Sequence, residues 1–225
     1  WTITDALDKY DPLVLRHALL NAHYRSPIDL TEQLLEDAKG HHARLVETYG
    51  HALVVIRQAK KAGMQEAPRL PEADVASADF LASKLGLLEK LLQEAAIAMD
   101  DDFNSRQALA KVSNGARLIP QILDSEDIDE RDTVAFAMYA IDWLEEFAGA
   151  VLGLLPDKDV AMAAHDPSLD PARQAIKEEV EQLLARRAIA RMAKDWDSAD
   201  EIRDALAAMG VSVKDTPDGV VWTLE

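Results

Sequence analysis

Cysteine is absent from all 225 residues. That excludes a disulfide framework, a thiolate metal site and a cysteine nucleophile within this stretch. Aromatic residues are scarce, at 5%. Ala and Leu dominate the apolar set, and both favour helix. No apolar run approaches the roughly 18 residues that a membrane span needs. The opening "WTITDALDKYDP" lacks the basic start and apolar stretch of a secretion signal. The expectation is a soluble, cytoplasmic, monomeric protein. The chain starts on Trp rather than Met, which points to a fragment or a processed chain. Also missing are a Gly-rich phosphate loop, a nucleophile elbow and an H-E-x-x-H motif. No active site is visible in these residues, and no catalytic residue or metal ligand is assigned.

What the chain does have is acid. Its formal net charge is −17, which promotes solubility and repels nucleic acid at long range. Asp outnumbers Glu, a pattern common on the surfaces of salt-adapted proteins; a solvated acidic face is the simpler account. His41, His42 and His51 lack the spacing and the carboxylate partner of a metal site and read as surface histidines. Asp100, Asp101 and Asp102 lack the alternation and glycine of a Ca²⁺ loop, so capping of the following helix explains them better.

Helical periodicity and stop signals divide the rest. Asp11 as N-cap and Pro12 at the first helical position open one helix. Pro27 breaks it. A long helix starts near Thr31 and stops at Gly63, after Lys60 and Lys61. A third carries Leu81, Leu85, Leu88 and Leu92 in a stripe. A fourth is capped by Asn104 or Ser105 and reaches about Leu123, with Pro120 kinking or shortening it. A fifth starts near Asp129. The expected fold is mostly α: a five-helix antiparallel bundle over 1–155. A linker follows over 156–171, where Pro156, Pro167 and Pro171 accompany no periodicity. Residues 172–225 form a small α+β domain. It has one helix from 172, a second capped by Asp197 or Ser198 with Gly210 as stop, and two β-branched runs around "TPDG" that read as a β-hairpin.

The last domain contains the one cationic stretch. Between Leu183 and Lys194 lie Arg186, Arg187, Arg191 and Lys194, with no acid. Arg187 and Arg191 are four apart and share a helix face. Screening confines repulsion by the remote acids to about 10 Å, so a local patch can still meet phosphates. Trp196 falls at the turn between the two helices, where an exposed indole can stack an unpaired base. Carboxylates at Asp200 and Asp215 can accept from exocyclic amino groups of bases. Each has a plainer explanation: Trp196 as a packing residue, Asp200 paired with Arg203, Asp215 as the start of a turn. Two other functions stay open on the residues alone. One is a winged-helix-like DNA-binding module, which the acidic 197–209 helix disfavours. The other is a helical protein–protein interaction domain.

Three stretches, "YDPLVLRHALLNAHYRSPIDLT", "AMDDDFNSRQAL" and "ARMAKDWDSADEIRDALAAMGVSVKDTPDGVVW", resemble signature stretches of the cysteinyl-tRNA synthetase family, in that family's order. The resemblance implies the region after the KMSKS loop of a class I aminoacyl-tRNA synthetase: a stem-contact fold, a helical bundle and an anticodon-binding domain. ATP and zinc would then belong to the full-length enzyme's catalytic domain upstream, with no cofactor in these residues and no aminoacylation by them alone. The implied partner is tRNA(Cys), through its GCA anticodon, with neither DNA nor membrane as a partner. Arg191, Trp196, Asp200 and Asp215 match the family's anticodon readers. Two departures stand out. "NSRQAL" replaces the usual "NTPEAL", leaving Ser105 able to cap but without a following proline. The chain also ends on "TLE", where relatives often carry a basic tail.

Overall fold

Capping chemistry decides where most of the helices begin. The computed structural model describes the backbone of residues 2–64, 76–192, 195–209, 211–216 and 219–224. Those residues are mostly helical and fall into two compact units, Trp1–Pro167 and Ser168–Glu225.

In the first unit, α1 (Ile3–Leu7) opens with a capping box. The Asp5 amide donates to Thr2 Oγ1 at 3.2 Å, and the Thr2 amide donates to Asp5 Oδ2 at 2.8 Å. Asp11 caps α2 (Pro12–Leu20) by accepting from the Leu13 amide at 2.7 Å. Thr31 caps α3 (Glu32–Lys61), which ends on two lysines before Gly63 at φ 96°. Then come α4 (Ala76–Asp100), α5 (Ser105–Leu123), α6 (Glu130–Leu144) and a π-helical stretch over Glu145–Val151. Pro120 sits inside α5, and the helix continues three residues past it. The unit's last helix is α7 (Lys158–His165).

α3 is the central element. It packs against α2, α5, α6 and α7. Its buried face supplies Leu45, Val46, Tyr49 and Ala52 to a core shared with Leu88, Ile119, Phe136 and Trp143. Two glycines admit close neighbours. A side chain at Gly115 would collide with the Trp143 ring, whose Nε1 donates to the Leu88 carbonyl at 2.9 Å. A side chain at Gly50 would collide with the Ala161 carbonyl of α7. A second cluster, including Ala6, Tyr10, Leu15 and Leu35, joins α1 and α2 to the start of α3.

Several expectations are corrected here. α1 and α7 are not among the five helices expected. α7 lies in the 156–171 stretch expected as linker. It is too short to show a clear period, yet Ala161 is fully buried and the bare backbone at Gly50 lets it dock. Of the two caps expected for α5, Asn104 holds the position, accepting from the Gln107 amide at 3.2 Å. Ser105 instead is buried and donates to the Leu20 carbonyl at 2.9 Å. Asp102 does not cap. It sits in the left-handed region at φ 56° and accepts from Tyr24 Oη at 2.8 Å and Arg25 Nη2 at 3.0 Å. That ties the α2–α3 connection to the α4–α5 turn. His42 is no surface residue: it is buried, with Nε2 2.9 Å from the Leu154 carbonyl.

The second unit has α8 (Pro171–Met192), α9 (Trp196–Ala208), β1 (Val211–Thr216) and β2 (Gly219–Leu224). The strands pair antiparallel, from Val211 opposite Leu224 to Thr216 opposite Gly219. α9 packs against both α8 and β1.

Candidate nucleic-acid interface

The inward faces of the second unit determine what is left outside. α8 turns Ile176, Val180, Leu183 and Leu184 inward, at i, i+4, i+7 and i+8. α9 turns Ala199, Ile202, Leu206 and Met209 inward, at i, i+3, i+7 and i+10. Val180, Leu206 and Val211 are the buried centre. Trp196 falls outside that stripe, and it is 58% exposed. The packing account of the indole, sealed in a hinge, is therefore not what the structure has.

Asp195, rather than Asp197 or Ser198, caps α9. Its Oδ1 accepts from the Ser198 amide at 3.2 Å. Hydrogen bonds from the Ser198 side chain and backbone hold the Asp195 carboxyl below the ordinary range, so the cap is ionised at neutral pH. Because Asp195 takes the cap position, Trp196 becomes the first helical residue, where its ring points away from the packed face. The Asp195 amide also donates to the Ala190 carbonyl at 2.9 Å. That bond closes the turn between α8 and α9, with exposed Arg191 inside the loop and Trp196 just beyond it.

Asp200 lies one turn after Trp196 on the same face and is exposed. It pairs with Arg203, Nη1 to Oδ1 at 2.9 Å, while Arg203 Nη2 reaches Asp204 at 3.0 Å. The expected Asp200–Arg203 pair is thus present; at such exposure it contributes little to stability. Arg187 is half-buried, with its Nε closed to solvent. It presents less of its charge outward than Arg191 does. Asp215 belongs to β1 opposite Val220; its side chain lies outside the described residues, and so does Lys194 entirely. The structure therefore places Arg191, Trp196 and Asp200 around one turn of the chain.

Two neighbours were not singled out from sequence. Ile189 is 67% exposed and Met192 is 86% exposed. Both fall off the apolar stripe of α8, and that offset was the available signal. They leave exposed apolar side chains near the end of the cationic helix.

Among the described residues there is no cluster of three or more His, Asp or Glu side chains able to hold a metal ion. With no cysteine either, the residues present do not fit a thiolate zinc centre. No helix among them is long and apolar enough to cross a membrane.

Comparison with known families locates the same segment. The profile of the cysteinyl-tRNA ligase anticodon binding domain matches residues 173–222. The profile of the DALR domain matches residues 96–156. Over its whole length the chain is 39% identical to a cysteine–tRNA ligase of Geobacter sulfurreducens, covering 43% of that protein. It is 35% identical to that of Geobacter metallireducens, covering 44% of it. It is 37% identical to that of Nitratidesulfovibrio vulgaris, with 98% of this chain and 43% of the relative aligned. The chain spans less than half the length of these relatives. With two domain profiles on two separate stretches and full-length kinship to proteins of one name, the chain belongs to the cysteine–tRNA ligase family.

Proposed function

We propose that this chain is the tRNA-binding portion of a cysteine–tRNA ligase and that its second unit reads the GCA anticodon of tRNA(Cys). The observation that carries the reading is the exposed indole of Trp196, at the first position of α9 and inside the segment matching the anticodon-binding profile. Trp196 stacks an unpaired anticodon base. Asp200 and Asp215 accept from the amino groups of guanine and cytosine. Arg191 meets a flanking phosphate, with Lys194 and Arg187 adding positive potential. To engage a base, Asp200 exchanges its Arg203 partner for an amino group. Asp197, Asp200 and Asp204 on α9 work against the phosphate-lined groove of duplex DNA, which favours a single-stranded target.

Aminoacylation, with its ATP and zinc chemistry, belongs to a catalytic domain whose motifs are not among these 225 residues. The chain alone supplies tRNA recognition to it and has no ligase activity of its own.

Filter binding of the chain to an anticodon stem-loop tests the reading. Trp196→Ala weakens binding to the GCA loop by about 1–3 kcal/mol. It has a smaller effect on a loop with altered anticodon bases. Equal losses on both loops would remove the base-reading role.

A further inference from the structure

The first unit holds a cleft of about 330 Å³ that anticodon reading does not use. Three helices build it. α5 contributes Arg106, Asn114 and Arg117, spaced so that they share one face. α3 contributes His41 and Arg44, and α2 contributes His17. The chain carries 41 acidic residues against 24 basic ones, yet no described Asp or Glu lines this cleft. Glu47 and Asp124 occur only in the adjoining cavity, past Arg44 and Arg117.

None of the three arginines forms an ion pair with a described residue. Arg117 is oriented by neutral partners, donating to Asn114 Oδ1 at 2.7 Å and to the Ser113 carbonyl at 3.3 Å. Arg106 lies in the first turn of the 19-residue α5, where the free amide end of the helix adds positive potential. His17 forms the inner wall. It is 3% exposed, and its Nδ1 has no hydrogen-bond partner. Burial, with His42 and His41 beside it, holds its pKa down to about 4, so the wall is polar but uncharged at neutral pH. Three arginines lining one cleft without an ion pair to a described residue leave guanidinium groups for an oxyanion, which they hold through bidentate hydrogen bonds.

We propose that this cleft is a phosphate-binding site in which Arg44, Arg106 and Arg117 hold the oxygens of one phosphate group. The phosphate comes either from the backbone of bound RNA or from a free phosphorylated molecule. The RNA source rests on the tRNA-binding reading above.

The test compares the 225-residue chain with the triple variant Arg44→Gln, Arg106→Gln, Arg117→Gln. Arg131→Gln, on α6 and outside the cleft, controls for loss of charge. Melting temperature checks folding, and the single variant Arg106→Gln serves if the triple variant melts early. Inorganic phosphate is titrated while the ring signals of His17 and His41 are followed by NMR; they move in the parent chain and not in the triple variant. A tRNA(Cys) transcript is titrated across a salt series. The triple variant binds at least about tenfold more weakly, and the log–log salt slope flattens by about 1 for each arginine that had met a phosphate. RNA weakening without phosphate-induced ring shifts assigns the site to a backbone phosphate. Ring shifts with unchanged RNA binding keep the site and make the free molecule its source. Neither response, or equal RNA weakening by Arg131→Gln without ring shifts, overturns the proposal. Failure of the Trp196→Ala experiment would sink anticodon reading and leave the phosphate titration free to judge the cleft.

Discussion

The two units use their interiors differently. The first has two apolar clusters, aromatic residues at the centre of the larger one, and buried polar groups tied to backbone carbonyls. Thr48 Oγ1 donates to the Ala116 carbonyl at 2.9 Å, and Ser105 Oγ donates to the Leu20 carbonyl at 2.9 Å. The second, among its described side chains, centres on Val180, Leu206 and Val211 alone, and leaves its tryptophan at position 196 outside. A unit of 58 residues, Ser168–Glu225, has little stability to lose. The difference shows how a recognition domain can be built: apolar side chains of two helices and a strand pack together, and an indole stays on the surface.

Leu206→Ala should break that contrast most severely. Truncating a fully buried leucine costs about 3 kcal/mol, enough to unfold the second unit while the first survives. Calorimetry should show one transition shifting and the other unmoved; a joint shift would mean that the units melt as one. Acid should act on the other side of the comparison. All six histidines lie in the first unit. His17 has its folded pKa lowered from 6.5 to about 4. Above pH 6.5 neither state is charged and nothing is lost. As pH falls from 6.5 to 4, the unfolded chain takes up a proton that the folded one refuses, and the first unit loses about 3 kcal/mol. His17→Asn should flatten that loss in a urea-unfolding series between those pH values. The smallest effect concerns the cap. Asp195→Ala should cost the second unit about 1 kcal/mol. It should also blunt anticodon discrimination, because the start of α9 then frays around Trp196. A variant that loses stability but keeps full discrimination would show that the indole does not depend on its cap.

Much of the first unit was legible because its helices are long and their ends are marked. Asp11 with Pro12, Thr31, Asn104, Asp129 and Gly63 each have a local chemical role that needs no tertiary knowledge. α7 was not legible. Its eight residues bury one alanine against a glycine 111 positions earlier and stack His165 on His51, and no window of sequence joins these partners. The histidines failed for the same reason: His42 belongs to the core only because the chain returns at Leu154 with a carbonyl to meet it. At the candidate interface, the sequence puts Trp196 at the turn between the two helices, whereas the structure makes it the first residue of α9, one turn before Asp200. The cap of that helix was misplaced by two or three residues, since Asp195, Asp197 and Ser198 all suit a cap and only the fold chooses among them. The arginine cleft gave no signal, because it is assembled from three helices whose separate patterns look like ordinary solvated faces.

Arg203 stands between two carboxylates, touching Asp200 on one side and Asp204 on the other. Were Asp200 given over to another donor, the guanidinium would keep its second anchor and would not be stranded. The swap would then leave the number of satisfied charges unchanged, so the surface could let go of its internal partner and recover it without rearranging the helix beneath.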